Sequence, residues 1–109
     1  MTPYRCISPQ QLHSMLQNGA LSIVDIRDIQ SFSQKHIPNA QHLDNQSLPA
    51  FVGGTPKDQA IVVVCYHGHS SQSAAAYLVS LGYSEVCSLD GGFELWHSLY
   101  PELTVAKVT

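Results

Sequence analysis

IVVVCYHGHSSQSAAAYLVSLGY, residues 61–83, decides the fold. Ile61 to Val64 form an unbroken aliphatic, β-branched run that ends in Cys65. A strand apolar on both sides belongs in the middle of a sheet covered on both faces. A short polar loop, Cys65 to Ser70, follows. From Ser71 to Leu81 the spacing changes to that of a helix, with Ala74, Leu78 and Leu81 on one face and Gly82 as the stop. The segment therefore puts a thiol at the tip of a buried strand, directly before a helix start.

Working outward, the same alternation recurs. RCIS, residues 5–8, reads as a short strand leading into a helix, with Ser8 as N-cap and Pro9 in the first helical position. Leu12, Met15 and Leu16 follow at helical spacing, and Asn18-Gly19 ends that helix. LSIVDI (21–26) is the next strand. Asp28 is placed to cap a short helix from Gln30 to Lys35, and HIPNA (36–40) turns the chain. QHL (41–43) is a brief strand, and Ser47 to Val52 a helical turn ended by Gly53-Gly54. EVCSLD (85–90) is the last strand. Gly91-Gly92 then opens a final helix, Phe93 to Leu99, in which Phe93 and Trp96 stand at core spacing.

Strands alternating with helices predict an α/β domain of three layers, with a mostly parallel sheet and helices on both faces. The 109 residues fit a single domain spanning 1–109, with no repeat, linker or low-complexity tract. In such sheets ligands meet the carboxyl ends of strands, which is where Cys65 lies.

Composition narrows the function. Net charge is −3, only 12% of residues are charged, and the five cations are scattered, so neither nucleic acid nor an anionic membrane is an expected partner. No aliphatic run approaches the length of a membrane span. The opening MTPYRCIS lacks the basic and apolar regions of a signal peptide. Cys6, Cys65 and Cys87 are odd in number and follow no C-x-x-C spacing, which predicts free thiols in a reducing cytoplasm.

A thiol is a nucleophile only as its thiolate, and a free cysteine ionises near about 8.5. The loop CYHGHS supplies successive backbone N–H groups, and Gly68 lets the backbone curl into an anion-holding concavity. The helix starting near Ser71 aims its positive end at the same point. Cys65 is therefore the expected nucleophile. Cys6 and Cys87, in strands with no such loop behind them, are expected to be packing residues.

Two cysteine chemistries use a strand, a nest and a helix: phosphate-ester hydrolysis and sulfane-sulfur transfer. The first needs a forked cation on the transferring phosphoryl group, yet Ser70 and Ser71 stand where that Arg would be. Sulfur transfer needs only donors for an anionic terminal sulfur, in two covalent half-reactions. A metal reading of Cys65, His67 and His69 founders because alternate residues of a tight loop do not converge and no fourth ligand is near. The two histidines are expected at a solvent-exposed rim, able to assist an anionic donor when protonated.

Three stretches carry a family resemblance. IVDIRDIQSFSQKHIPNA (23–40) has Asp25, Arg27, Phe32, His36, Ile37, Pro38 and Ala40 in matching places. VCYHGHSS (64–71) matches at Cys65 and Gly68, and DGGFELW (90–96) at Gly91, Gly92 and Trp96. Together, and in this order, they resemble the rhodanese family, and most closely its single-domain bacterial thiosulfate sulfurtransferases. The resemblance implies a five-stranded rhodanese-like sheet and a Cys65 that forms a persulfide, with Tyr66, His67, Gly68, His69 and Ser70 cradling the sulfur. It implies a thiosulfate:cyanide sulfurtransferase working without metal or organic cofactor. Thiosulfate would be the donor, and cyanide, a small dithiol or a thioredoxin-like thiol the acceptor. A sulfur-carrying or partner-binding module without fast turnover is the alternative.

The chain departs from many relatives at Lys35 and Asn39, where they have glycine. It also has Tyr66 after the cysteine and Ser70 near the loop's end, where many carry basic residues. With no cation in the loop, thiosulfate is expected to bind weakly. Asp25 and Arg27, just beyond a strand end, could be catalytic charges but are expected to take a structural ion-pair or hydrogen-bonding role near the site, His36 to be a packed turn residue, and Ser70 or Ser71 to cap the helix, with Ser70 also within reach of the sulfur.

Overall fold

The structure is a computed structural model, and it describes residues 4–106. In chain order the elements are β1 (Arg5–Ile7), α1 (Pro9–Leu16), β2 (Leu21–Asp25), α2 (Ile29–Gln34), β3 (Gln41–His42), α3 (Leu48–Gly54), β4 (Ala60–Val64), α4 (Ser70–Ser80), β5 (Val86–Leu89) and α5 (Gly92–Leu99), followed by a 3-10 turn at Pro101–Leu103. The strands form one five-stranded sheet in the order β1-β5-β4-β2-β3. Every pairing in it is parallel. The aliphatic run is its central strand. β4 is in register with β2 through Asp25 and Val64, and with β5 through Val63 and Ser88.

The period of two along β4 divides the core. Ile61 and Val63 pack with Val24, Phe51, Ala75, Leu78 and Tyr83 under α3 and α4. Val62 and Val64 pack with Ile7, Leu12, Ile23, Phe93 and Trp96 under α1 and α5. All four side chains are wholly buried. Each contributes about 1.5–3 kcal/mol to folding by leaving water, which is why this strand holds the centre and orders the rest around it.

Local signals explain the ends of the helices. Ser8 and Gln11 form a reciprocal capping box. The Gln11 N–H donates to Ser8 Oγ at 3.1 Å and the Ser8 N–H to Gln11 Oε1 at 2.8 Å. Asp28 caps α2 by accepting the Ser31 N–H at 3.0 Å. His36 is buried with its ring stacked on Phe32 at 4.0 Å and Nδ1 2.7 Å from the Phe32 carbonyl oxygen, the packed turn residue the sequence suggests. Asn39, where many relatives have glycine, takes the left-handed conformation at φ 70°, which asparagine tolerates better than most residues.

Three details differ from expectation. Helix α3 runs through Gly53-Gly54 instead of stopping before them. The N-cap of α4 is His69, whose side chain makes no capping bond, because the helix starts one residue earlier than expected and Ser70 and Ser71 are already its first two residues. Cys6 is exposed, not packed: β1 lies at the sheet edge and buries only Ile7 of its three residues. Cys87, on the inner neighbour β5, is buried as expected.

Candidate active site

Cys65 follows the last residue of β4 and lies 4% exposed where the chain turns into α4. Its Sγ accepts the Gly68 N–H at 3.1 Å and the Ser71 N–H at 3.2 Å. Ser71 Oγ is also 3.2 Å away. Two backbone N–H donors, one from the loop and one from the first turn of α4, thus converge on one sulfur beside the Ser71 hydroxyl. The start of α4, with its unsatisfied N–H groups and positive dipole end, points at the same atom.

The loop takes this shape because its carbonyls are held outward. The Phe93 N–H donates to the Cys65 carbonyl oxygen at 2.7 Å and the Glu94 N–H to that of Tyr66 at 3.1 Å. The Gln72 side-chain amide donates to the Gly68 carbonyl oxygen at 2.8 Å. With those oxygens occupied on the outside, the loop's N–H groups are left to face inward. Two glycines permit the fit. Gly68 sits at φ 87°, and a Cβ there would come within 2.8 Å of the Gly91 nitrogen. Gly92, at φ 61°, would bring a Cβ within 2.4 Å of the Cys65 carbonyl oxygen. The motif DGGF is therefore a backbone clamp on the cysteine loop, which gives its glycines a physical reason.

Burial pushes the Cys65 thiol upward, but hydrogen bonds from the Ser71 hydroxyl, the Ser71 and Gly68 N–H groups and the His67 N–H outweigh it, and its pKa lies below the ordinary thiol value. Cys87 moves the other way: burial dominates and holds that thiol protonated. The two thiols shift in opposite directions because Cys65 has a loop of donors around it and Cys87 has a core.

The remaining residues singled out in the sequence fall into place around this centre. Gly68 donates its N–H directly to the sulfur. The His67 and His69 side chains are exposed at the rim. Ser70 is exposed too, and the hydroxyl that reaches the sulfur belongs to Ser71, one position on. Tyr66 is 39% exposed and its hydroxyl bonds to Asp28 Oδ1 and to Ser31 Oγ, tying the loop to the start of α2.

Asp25, the last residue of β2 and not beyond it, forms an ion pair with Arg27. Arg27 Nε and Nη2 donate to the Asp25 carboxylate at 3.0 and 2.9 Å, and both residues are buried. Arg27 also donates to the Lys35 carbonyl oxygen at 2.6 Å and lies 4.0 Å over the Phe93 ring. The pair thereby braces β2, the end of α2 and the start of α5 against one another. Among the described residues, no group of three His, Cys, Asp or Glu side chains is gathered as a metal-ligand set.

The profile of the rhodanese-like domain matches residues 8–99. The chain belongs to the rhodanese-like family. Curated relatives within that family are close: the thiosulfate sulfurtransferase GlpE of Stutzerimonas stutzeri (strain A1501) is 58% identical over 101 residues, covering 93% of this chain and 92% of its own. The GlpE of Pseudomonas aeruginosa PAO1 is 53% identical over 98 residues, covering 90% and 88%. The rhodanese-like fold is shared with the solution structure of the rhodanese-like domain of the Anabaena sp. Alr3790 protein, at TM-score 0.83 and 24% identity over 98% of this chain and 81% of that one. The five-stranded sheet and flanking helices expected for a rhodanese-like domain are those observed.

Two features of the site were not foreseen. The Ser71 hydroxyl is the side-chain partner of the sulfur, accepting from the thiol, and behind it Ser88 Oγ lies 2.7 Å from Ser71 Oγ. A serine inside the apolar strand VCSL was the available signal for the second.

Proposed function

We propose that the chain is a thiosulfate sulfurtransferase that works through a persulfide on Cys65. The observation that carries this reading is the convergence of the Gly68 N–H, the Ser71 N–H and the Ser71 hydroxyl on one buried sulfur whose pKa is lowered. The Cys65 thiolate attacks the outer sulfur of thiosulfate. The sulfur–sulfur bond of the donor breaks, sulfite leaves with the electron pair, and a bond forms between Cys65 Sγ and the transferred sulfur. Cyanide or a thiol then attacks the terminal sulfur, giving thiocyanate or a persulfide and returning the thiolate.

In this reading the loop Tyr66–Ser70 binds the sulfur, with Gly68 as a direct donor and His67 and His69 lining the approach. Asp25 and Arg27 hold the scaffold. The scheme needs no metal and no organic cofactor, because backbone N–H groups suffice to hold the anionic sulfur. A small dithiol or a thioredoxin-like thiol in a reducing cytoplasm is the proposed cellular acceptor. Thiosulfate is held weakly, since no residue from Tyr66 to Ser70 carries a permanent charge to pair with the dianion.

The test is intact mass after incubation with thiosulfate, for wild type and Cys65→Ser, before and after cyanide. Wild type is expected to gain one sulfur and lose it to cyanide, and the variant to do neither. Loading without repeated thiocyanate formation would indicate a sulfur carrier. No gain of mass by wild type would refute the persulfide.

A further inference from the structure

Ser88 is an anomaly in its strand. β5 reads VCSL, all four residues are buried, and Ser88 is 1% exposed with a hydroxyl among aliphatic neighbours. A hydroxyl out of water destabilises the fold unless it is bonded. Its hydrogen bond is to Ser71 Oγ at 2.7 Å, across 17 residues of sequence, and Ser71 is itself wholly buried. Ser71 Oγ in turn lies 3.2 Å from Cys65 Sγ. The parallel register sets Val63 opposite Ser88, two residues before Cys65, and the first turn of α4 brings Ser71 between the two.

We propose that Ser88 is a positioning residue for the sulfur chemistry, acting through Ser71 as the second hydroxyl of a buried chain from Cys65 Sγ to Ser71 Oγ to Ser88 Oγ. Each hydroxyl has one proton to donate. When Cys65 is a thiol, its proton points to Ser71 Oγ, and the Ser71 proton points to Ser88. When the thiol proton is lost to solvent, the sulfur has only lone pairs to offer. The Ser71 proton then turns to the sulfur, and the Ser88 proton turns to Ser71. Two O–H rotations follow one ionisation, and no covalent bond to a heavy atom changes. A Ser71 hydroxyl that accepts from Ser88 is a better donor to the sulfur. With Ser88 in place, Ser71 also keeps a partner in both states, so neither state strands a buried oxygen.

The inference rests on Cys65 as the reactive thiol, and its test is independent of sulfur transfer. The readout is the pH dependence of iodoacetamide alkylation at Cys65, followed by peptide mass for wild type, Ser88→Ala, Ser71→Ala and the double variant. Loss of the Ser71 hydroxyl should raise the apparent Cys65 pKa by about one unit, the scale of a hydrogen bond to a charged group. Ser88→Ala should raise it by about half a unit in the wild-type background and by nothing further beside Ser71→Ala. Ser88→Thr keeps the hydroxyl and should keep the wild-type pKa, whereas a residue needed only for packing would tolerate alanine better than threonine. An unchanged pKa in Ser88→Ala, equal shifts in both backgrounds, or a Ser88→Thr shift as large as that of alanine would overturn the proposal. If the shifts appear but thiosulfate never loads Cys65, the relay stands and the sulfurtransferase reading fails.

Discussion

The backbone N–H of Phe93 donates to the carbonyl oxygen of Cys65 at 2.7 Å, so the first turn of α5 grips the residue that carries the thiol. Gly92 makes that approach possible. Gly92→Ala would place a methyl within 2.4 Å of the same carbonyl oxygen, at a φ of 61° that alanine resists. The left-handed backbone alone costs about 1–2 kcal/mol, and displacement of the loop adds to it. We expect a melting temperature lower by roughly 10 °C and at least a tenfold loss of thiocyanate formation. Full activity in Gly92→Ala would show that the clamp does not shape the loop.

Asp25 and Arg27 make a different prediction, because their role is structural. Asp25→Asn leaves a buried guanidinium without its counter-charge and should cost about 3–5 kcal/mol. Urea titration measures that loss. In folded protein, alkylation of Cys65 should keep its wild-type pH dependence, since neither residue bonds to the sulfur. Adding Arg27→Met to Asp25→Asn should recover part of the stability. A double variant as unstable as the sum of the two singles would argue against the pair as a unit.

The cysteines should separate by pH. Cys65, with its lowered pKa, is expected to react with iodoacetamide first, its rate rising with pH and levelling off below the ordinary thiol range. Cys87, protonated by burial, should stay unlabelled in the folded protein. Stability follows the same signs. The depressed Cys65 pKa contributes stability above the unfolded value that is lost as pH falls through the folded one. The raised Cys87 pKa contributes stability below the unfolded value that is lost as pH rises through the folded one. Peptide mapping across pH checks the order of reaction, and preferential labelling of Cys87 would contradict it.

Much of this was legible in the sequence, for local reasons. A β-branched run announces a central strand, Ser8 and Asp28 announce helix starts, and Gly68 announces a bend, since each acts within a few residues of itself. Cys65 could be picked from three cysteines because strand, loop and helix start lie contiguously around it. Ser88 could not be assigned a role this way. Its partner is 17 residues away and meets it only once β4 and β5 pair in register. Ser70 and Ser71 are adjacent and chemically alike, and only the turn into α4 decides which faces the sulfur. The exposure of Cys6 depends on β1 being at the sheet edge, a fact of strand order that no short stretch reveals.

The central place of β4 has a bearing on how the protein breathes. Fraying at β1 or β3 can proceed from the sheet margins, but freeing β4 requires both of its ladders to part. Its amides should therefore be among the slowest to exchange with deuterium, opening only with the whole domain. Cys65 thus follows directly on the strand expected to open last, while Tyr66, His67, His69 and Ser70 of its loop stand exposed to solvent.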